Sequence, residues 1–232
     1  MEKHYSVMSL NVHDFNNSEM EDSLENVKNL IKGYDVIALQ EVYDKEKLKE
    51  IVKGYNYAYN YAYNKGTLLM TKFPFQEINY HISNEAFTAF ILIIPLHVNV
   101  LVTNIHLNYE REDIRLKELD NILQRINKYY DDYPIILLGD FNSLTRKDYT
   151  QKEWACIHKI RKNSLWELPT SKLTDKLNFH WLDSGQDHKG PTSRYDTRID
   201  YIFTKCLFVK DYNMIKTIPD ISDHNLISIK FL

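Results

Sequence analysis

The fold of this protein is decided by the stretch Pro-Ile-Ile-Leu-Leu-Gly-Asp-Phe-Asn-Ser, residues 134–143. Its apolar first half is typical of a buried strand. Side chains two residues apart on an extended chain point the same way, so Asp140 and Asn142 share a direction at the carboxyl end of that strand. Open α/β sheets have their ligand-binding and active sites at this end of their strands. The stretch therefore predicts a strand that delivers a carboxylate and a carboxamide to a reactive site.

Three more segments place matching polar groups at strand ends, namely Leu-Gln-Glu at 39–41, Arg-Ile-Asp-Tyr at 198–201 and Ser-Asp-His at 222–224. Taken alone, each is more often a turn than a ligand site, because such polar residues are common in turns. Four segments of this kind in one chain indicate a shared site.

Composition limits the class of protein. The chain has 232 residues, 44% hydrophobic and 13% aromatic, which is enough to bury a substantial core. No segment has the composition of a linker, so we expect one domain, residues 1–232. The net charge of −3 argues against an electrostatic nucleic-acid binder of the histone or repressor kind. A polyanion could therefore bind only through a local basic patch or a metal ion.

The two cysteines and the chain start predict the cellular setting. Cys156 and Cys206 match neither zinc nor redox spacing, so we expect free thiols of a reducing compartment. The first residues run directly into an alternating strand, and no stretch of about 20 apolar residues occurs. We expect a soluble intracellular protein with no membrane anchor, and the sequence indicates no obligate protein partner.

Helical and extended patterns are mixed along the chain. Residues 18–32 and 112–130 have the apolar spacing of helices, the first with Met20 on its apolar face. Residues 165–183 are predicted to be a loop or a broken helix.

The strands predict the sheet class. The Tyr-Asn-Tyr-Ala repeat at 55–64 favours a strand with its tyrosines on one face. The strands predicted at 86–95 and 98–106 are separated by a short turn, so they are antiparallel and exclude a purely parallel sheet. Two mixed β-sheets packed together and flanked by helices fit this order of elements.

The acidic groups at the strand ends point to a metal. Burying Glu41, Asp140 and Asp223 close together is costly unless a cation neutralises them. A hard divalent ion with oxygen ligands fits, either Mg²⁺ or Mn²⁺. Asn11 and Asn142 add groups that can hold a phosphate oxygen or a water.

Two histidines complete the candidate set. Histidine side chains ordinarily titrate near neutral pH, so an imidazolium at His106 or His224 could stabilise a transferring phosphoryl group. Asp200, on an adjoining strand end, is placed to fix the tautomer of His224. A single histidine in the position of His106 is more often a hydrogen-bonded core residue. The other candidate residues of this chain favour a functional role for it.

Taken together, these segments resemble the endonuclease/exonuclease/phosphatase superfamily, which has the deoxyribonuclease I-like fold. The resemblance covers residues 5–232 and is most specific in Gly-Asp-Phe-Asn at 139–142 and Ser-Asp-His at 222–224. It implies an α/β fold, a four-layer sandwich of two mixed β-sheets flanked by helices. It also implies Mg²⁺-dependent attack of water on a phosphorus ester, with metal ligands at Glu41, Asn11 and Asp223.

The resemblance also implies a role for each catalytic residue. Asp140 orients or deprotonates the attacking water, and Asn142 contacts the phosphate. His224, paired with Asp200, stabilises the transition state. His106 binds a non-bridging oxygen or assists the leaving group.

Abasic-site endonucleases of this superfamily usually differ at three positions, where this chain has His13, His106 and Thr197. The run Asn-Ile-His-Leu at 104–107 looks more like the branch that holds tyrosyl-DNA phosphodiesterases, sphingomyelinases and deadenylase-like nucleases.

Charge and aromatic content suggest the substrate. Residues 145–162 carry six basic side chains against Asp148 and Glu153, which is either a solvated helix face or a track for a nucleic-acid backbone. Arg194 and Arg198 are predicted to reach the substrate from another loop. Trp166 either stacks on a base or packs in the core.

We therefore predict a metal-dependent phosphodiesterase, a nuclease or DNA-end-processing enzyme whose substrate is nucleic acid. A lipid substrate would call for an exposed apolar loop or an anchoring segment, and the sequence has neither. Two alternatives stay open. One is a phosphatase or phospholipase-C-like enzyme acting on an inositol phosphate or sphingomyelin, and the other is a non-catalytic binding module of the same fold.

Overall fold

Alternating strands and helices build the molecule. The computed structural model describes residues 4–62, 65–78, 87–92, 99–130, 132–161, 166, 172–178, 181–188 and 190–232. In chain order the strands are Tyr5–Asn11 (β1), Val36–Gln40 (β2), Asn56–Ala62 (β3), Lys65–Thr71 (β4), Phe75–Glu77 (β5), Phe87–Leu92 (β6), Val100–His106 (β7), Ile135–Asp140 (β8), Leu182–Asp183 (β9), Asp200–Lys205 (β10), Val209–Ile215 (β11) and Leu226–Phe231 (β12). The helices are Leu24–Ile31 (α1), Lys45–Ile51 (α2), Glu112–Tyr130 (α3), Gln151–Arg161 (α4) and Lys172–Asn178 (α5), with single helical turns at His13–Phe15 and Arg146–Asp148.

The strands form two six-stranded sheets. Their spatial orders are β11-β12-β1-β2-β4-β3 and β5-β6-β7-β8-β10-β9. The pairs β1–β2 and β7–β8 are parallel, whereas the other neighbours are antiparallel. Both sheets are therefore mixed, as the sequence predicts.

Alternation along the strands produces the layers. On β8, Ile136 and Leu138 face the core between the two sheets, whereas Ile135 and Leu137 face the apolar side of α3 and α5. On β1, Val7 belongs to the core between the sheets and Met8 to the cluster beneath α1 and α2. Successive strand residues point to opposite faces, so each sheet has two buried faces. The predicted four-layer α/β sandwich is confirmed.

One helix is shorter than predicted. Residues 18–32 were expected to be helical, but the helix begins only at Leu24. The side chain of Asn17 accepts hydrogen bonds from the backbone N–H groups of Glu19 and Glu21, at 2.9 Å each. Such side-chain turns compete with helix formation. Met20, with φ of 66°, is 64% exposed rather than on an apolar face.

Other segments are helical where the sequence pattern is weak. Residues 172–178, within a predicted loop or broken helix, form α5, which packs Leu173 and Leu177 against the α3 side of the second sheet. Helix α2 was not predicted, and Asp44 caps it by accepting from the N–H groups of Glu46 and Lys47. Tertiary packing and a single cap decide such short helices.

The predicted strand patterns hold where the structure describes them. Strand β3 alternates as expected, with Ala58 buried between the sheets and the tyrosines on the opposite face. Strands β6 and β7 are antiparallel, although residues 93–98, with the predicted turn, lie outside the described part of the chain. Cys156 and Cys206 are exposed free thiols.

Candidate active site

The strand ends meet at one edge of the sandwich. Asn11 ends β1, His106 ends β7 and Asp140 ends β8, while Asp200 begins β10 opposite Asp140. The carboxyl end of a strand lies beside the carboxyl end of a parallel neighbour and beside the amino end of an antiparallel one. Glu41 directly follows β2, which is parallel to β1. Glu41, His106 and Asp140, which are far apart in sequence, therefore line one pocket of about 510 Å³.

Direct contacts join the two sheets at this pocket. The side-chain amide of Asn11 donates to Glu41 Oε1 at 3.0 Å and to Asp140 Oδ2 at 3.1 Å. His106 Nε2 lies 3.8 Å from Glu41 Oε1 and 3.6 Å from Asp140 Oδ2. The backbone N–H of Asn142 closes the turn by donating to Asp140 Oδ1 at 2.8 Å. The predicted grouping of Asn11, Glu41, His106, Asp140 and Asn142 is present.

The backbone is strained around these groups. Left-handed φ angles of 46–58° occur at non-glycine residues after three strand ends, namely His13, Asp14, Phe15, Glu41 and Asn142. Conformations of this kind cost about 1–3 kcal/mol each and cluster at functional sites. Asp14 fixes one such turn, because its Oδ1 accepts the N–H groups of Tyr43 and Asp44 at 2.9 and 2.8 Å.

His224 and Asp200 form the predicted pair. His224 Nδ1 lies 2.9 Å from Asp200 Oδ2, and its Nε2 lies 4.0 Å from Asp140 Oδ2. Burial by itself lowers the pKa of His224, but the carboxylates of Asp200, Asp140 and Asp223 outweigh burial and raise the pKa to about 10. His224 is therefore an imidazolium at neutral pH.

His106 has the opposite protonation state. Burial lowers the pKa of His106 well below its usual value, and the positive charges of Lys65 and His224 lower it further. Its imidazole is neutral at pH 7. Burial raises the pKa of Asp140 to about 7, with the charge of Asp200 adding to the effect and His224 partly opposing it.

The carboxylates suit a hard cation. Ligand atoms of Glu41, His106 and Asp140 lie within 4.8 Å of one another, and so do those of Asp140, Asp200 and His224. The second group contains a protonated histidine, so the first is the better metal site. Burial and the charge of Asp200 raise the pKa of Asp140 and so disfavour its ionised form, which a divalent ion with oxygen ligands nearby would favour.

Asp223 and Arg194 also line the pocket, and Arg194 Nε lies 3.6 Å from Asp223 Oδ2. Asp223 Oδ1 also lies 3.9 Å from His13 Nδ1. The structure thus places both predicted residues at the site.

Two predicted substrate-binding residues lie elsewhere. The guanidinium of Arg198 is buried, pairs with Asp148 at 2.9 Å and with Asp183, and does not line the pocket. Trp166 is 4% exposed and packs in an apolar cluster, while Arg115 donates to its carbonyl. Partners distant in sequence bury both side chains, so the structure places neither of them at the pocket and favours the core-packing alternative for Trp166.

Six pocket residues were not among the predicted site residues. They are Tyr43, Lys65, Tyr109, Ser193, Tyr195 and Ile199. Lys65 is buried and donates from Nζ to the carbonyl of His106 at 3.2 Å, and burial lowers its pKa. The available signal was proximity in sequence, since Tyr109 lies three residues after His106 and Tyr195 follows Arg194.

The family model of the Endonuclease/Exonuclease/phosphatase family matches residues 8–224. The chain belongs to this family. Its members are generally hydrolases of phosphoester bonds that use a divalent metal. The predicted family membership is confirmed.

One curated protein is similar in sequence, and solved structures are similar in fold. Protein angel of Drosophila melanogaster is 31% identical over 106 residues, which is 44% of this chain and 27% of that protein. The chain thus matches about a quarter of this curated relative's length. An endonuclease/exonuclease/phosphatase from Beutenbergia cavernae superimposes with a TM-score of 0.72 at 16% identity, covering 99% of this chain and 72% of that one. Truncated TDP2 from Caenorhabditis elegans superimposes with a TM-score of 0.65 at 17% identity, covering 99% and 97%.

At sequence identities of 16% and 17%, similarity to these solved structures establishes the fold of this chain and nothing more. Within the described part of the chain, the helices are all too short or too polar to cross a membrane.

Proposed function

We propose that the protein is a metal-dependent phosphodiesterase that hydrolyses nucleic acid. One observation carries the proposal. A buried carboxylate, Asp140, lies between a neutral His106 and a protonated His224, and Asn11 links it to Glu41. This set offers a base, a cationic group and oxygen ligands for a cation in one pocket, as hydrolysis of a phosphate ester requires.

Glu41 would hold the cation next to Asp140, with Asp223 as a further carboxylate of the pocket. When bound, Mg²⁺ or Mn²⁺ supplies Lewis-acid stabilisation of the phosphate charge. Its charge would also favour the ionised form of Asp140, which burial disfavours.

The side chains around the phosphate have separate tasks. Asp140 takes the proton of the attacking water, since its Oδ1 is held by the Asn142 N–H and its Oδ2 by Asn11. His224 donates from Nε2 to a phosphoryl oxygen, because Asp200 holds the opposite ring nitrogen. A preorganised cation of this kind stabilises charge that develops in the transition state.

Exposed basic residues on the segment that follows the Asp140 turn in sequence support nucleic acid as the substrate. Lys152 and Lys159 are exposed on α4, Lys147 is exposed on the turn before it, and Arg194 lines the pocket. Because the whole chain carries a net charge of −3, attraction of a polyanion depends on such a local group of cations.

The test is cleavage of a substrate panel with Mg²⁺ or with EDTA. The panel contains a 5′-tyrosyl oligonucleotide, an abasic duplex, single- and double-stranded DNA, RNA, sphingomyelin and an inositol polyphosphate. We expect metal-dependent cleavage of a nucleic-acid member. Asp140→Asn should reduce that rate by about 100-fold or more, because the water loses its proton acceptor, and circular dichroism should confirm an intact fold.

Each other result has a clear meaning. Cleavage of sphingomyelin or the inositol phosphate alone would overturn the proposed substrate. A wild-type rate for Asp140→Asn would overturn the role of Asp140. Failure to cleave any member would overturn the enzymatic proposal and favour a binding module.

A further inference from the structure

We propose that Tyr109 and Tyr195 form a stacking subsite at the mouth of the pocket for the nucleobases beside the cleaved phosphate. The inference rests on the proposed function, because it names a part of the substrate that the same pocket binds. Tyr109 follows the strand that ends at His106, and Tyr195 lies on the loop that leads to Asp200. The two rings therefore reach the pocket from two different loops.

Both rings combine pocket lining with high exposure. Tyr109 is 61% exposed and Tyr195 is 60% exposed, and both line the pocket that contains Asp140. Each ring therefore has an open surface toward solvent next to the candidate reaction site. Stacking a base on such a ring removes apolar surface from water and tolerates any base, because every base has a π-face.

The backbone beneath Tyr109 is fixed. The backbone N–H of Asn108 donates to Glu118 Oε2 at 2.7 Å, and the fully buried Arg115 donates to the Asn108 carbonyl at 3.1 Å. The side chain of Asn108 also accepts the N–H groups of Glu110 and Arg111 at 2.9 Å each. An exposed ring on such an anchored turn needs little ordering when it binds.

The loop of Tyr195 is tied to the catalytic segment. The N–H of Arg194 donates to the carbonyl of Asp223 at 2.9 Å, and Ser193 forms a β-bridge with His224. Within the loop, the hydroxyls of Ser193 and Thr197 are 2.8 Å apart. The Tyr195 ring therefore has a defined place relative to His224, which would contact the phosphate.

Arg194 makes the subsite suitable for a nucleotide. Its guanidinium lies 5.0 Å from the centre of the Tyr195 ring and donates to the Tyr195 hydroxyl at 2.9 Å. A cation next to an aromatic face offers one contact for a phosphate and another for a base. An inositol phosphate has phosphates and hydroxyls but no flat π-face, so it would use only the first contact.

The experiment measures binding of short oligonucleotides in the Asp140→Asn background, in which turnover is slow. The probes are single-stranded DNA and RNA hexamers with 2-aminopurine, and matched hexamers in which abasic spacers replace the bases. We expect Tyr109→Ala and Tyr195→Ala each to weaken binding of the base-bearing hexamers about tenfold. Binding of the spacer hexamers should change less than twofold, on the order expected for a lost exposed contact.

Matched variants separate stacking from other effects. Tyr109→Phe and Tyr195→Phe keep the ring, and we expect them to recover the affinity and the 2-aminopurine quenching lost in the alanine variants. Tyr57→Ala removes a 47% exposed tyrosine of β3 that does not line the pocket. This control should bind like the parent protein.

The outcomes distinguish the two proposals. If the wild-type protein cleaves nucleic acid while the alanine variants bind base-bearing and spacer hexamers like the parent, the stacking subsite is wrong and the proposed function stands. Equal losses on both kinds of hexamer would also refute stacking. If the wild-type protein neither binds nor cleaves any nucleic acid, the proposed function fails and the subsite fails with it.

Discussion

At the scale of single residues, neighbours decide what each titratable group can do. His106 and His224 are both buried beside Asp140, yet burial and nearby positive charge keep His106 neutral. Three carboxylates, with Asp200 in direct contact, keep His224 charged. The same residue type can therefore supply a cation at one side of the pocket and a neutral ring at the other.

The charge of His224 makes a prediction for pH dependence. Its pKa is raised to about 10 in the folded protein, so activity that needs the imidazolium is present below that pH and lost as pH rises through it. Asp200→Asn removes the adjacent negative charge, and burial then lowers the pKa. We expect the alkaline limb of kcat/KM to move toward neutral pH in a profile from about pH 6 to about pH 11. An alkaline limb at the wild-type position would contradict the pairing of His224 with Asp200.

Arg198 makes a prediction for stability rather than for binding. Arg198→Ala takes the guanidinium from the buried carboxylates of Asp148 and Asp183. Removing one partner of a buried ion pair costs about 3–5 kcal/mol, and urea unfolding followed by circular dichroism measures the loss. Arg194→Ala is the control, because the Arg194 side chain is 40% exposed and its loss should leave the unfolding free energy nearly unchanged. Equal stability of the two variants would show that the buried pairs contribute little.

At the scale of elements, a buried amide pair holds the two sheets in register beneath the site. Gln40 at the end of β2 donates to Asn104 Oδ1 of β7 at 2.7 Å, and Asn104 donates to the carbonyls of Leu39 and Leu68 at 2.9 and 3.0 Å. The apolar core between the sheets attracts them without fixing their direction. These hydrogen bonds do fix it, so they position Glu41 of one sheet against His106 of the other.

Removing one amide of this pair should be worse than removing both. Asn104→Leu leaves the Gln40 amide buried with fewer partners, and we expect a loss of about 1–3 kcal/mol in unfolding free energy together with lower activity. The double variant Gln40→Leu, Asn104→Leu should recover part of the stability, because the Gln40 amide is then no longer buried without its partner. A double-mutant cycle from thermal unfolding measures the coupling. Additive losses would show that the two side chains act independently.

At the scale of the whole molecule, the buried acidic groups link metal binding to stability. Glu41 and Asp140 come from different sheets, so a cation between them would bind the folded chain and not the unfolded one. A ligand that binds only the folded state stabilises it in proportion to the logarithm of its concentration. Metal binding should therefore be visible without any substrate.

Thermal unfolding tests this linkage. At about 100 times its dissociation constant, Mg²⁺ should add about 2.7 kcal/mol, which corresponds to a rise in Tm of about 5–10 °C for a chain of this size. EDTA should reverse the rise. Glu41→Gln should show a smaller shift at every Mg²⁺ concentration, whereas Glu25→Gln, at a glutamate whose side chain is 72% exposed, should shift like the wild-type protein. Identical shifts in both variants would remove Glu41 from the metal site.

Much of the fold and site could be predicted because the relevant signals are local. Strand alternation and helical spacing depend on residues two to four positions apart, so β8 and α3 follow from nearby residues. The start of the first helix could not be predicted, because its apolar spacing continues through a turn that the side chain of Asn17 stabilises.

The boundary between sequence and structure is clearest for the side chains around the pocket. The order of polar residues at strand ends was sufficient to place Glu41, Asp140 and His224 in one site, because strand direction brings those ends together. The burial of Arg198 depends on partners 15 and 50 residues away, and the exposure of Tyr109 and Tyr195 depends on how two separate loops are anchored. Such contacts form only when the chain is folded, so tertiary packing assigns Arg198 to the interior and the two tyrosines to the pocket.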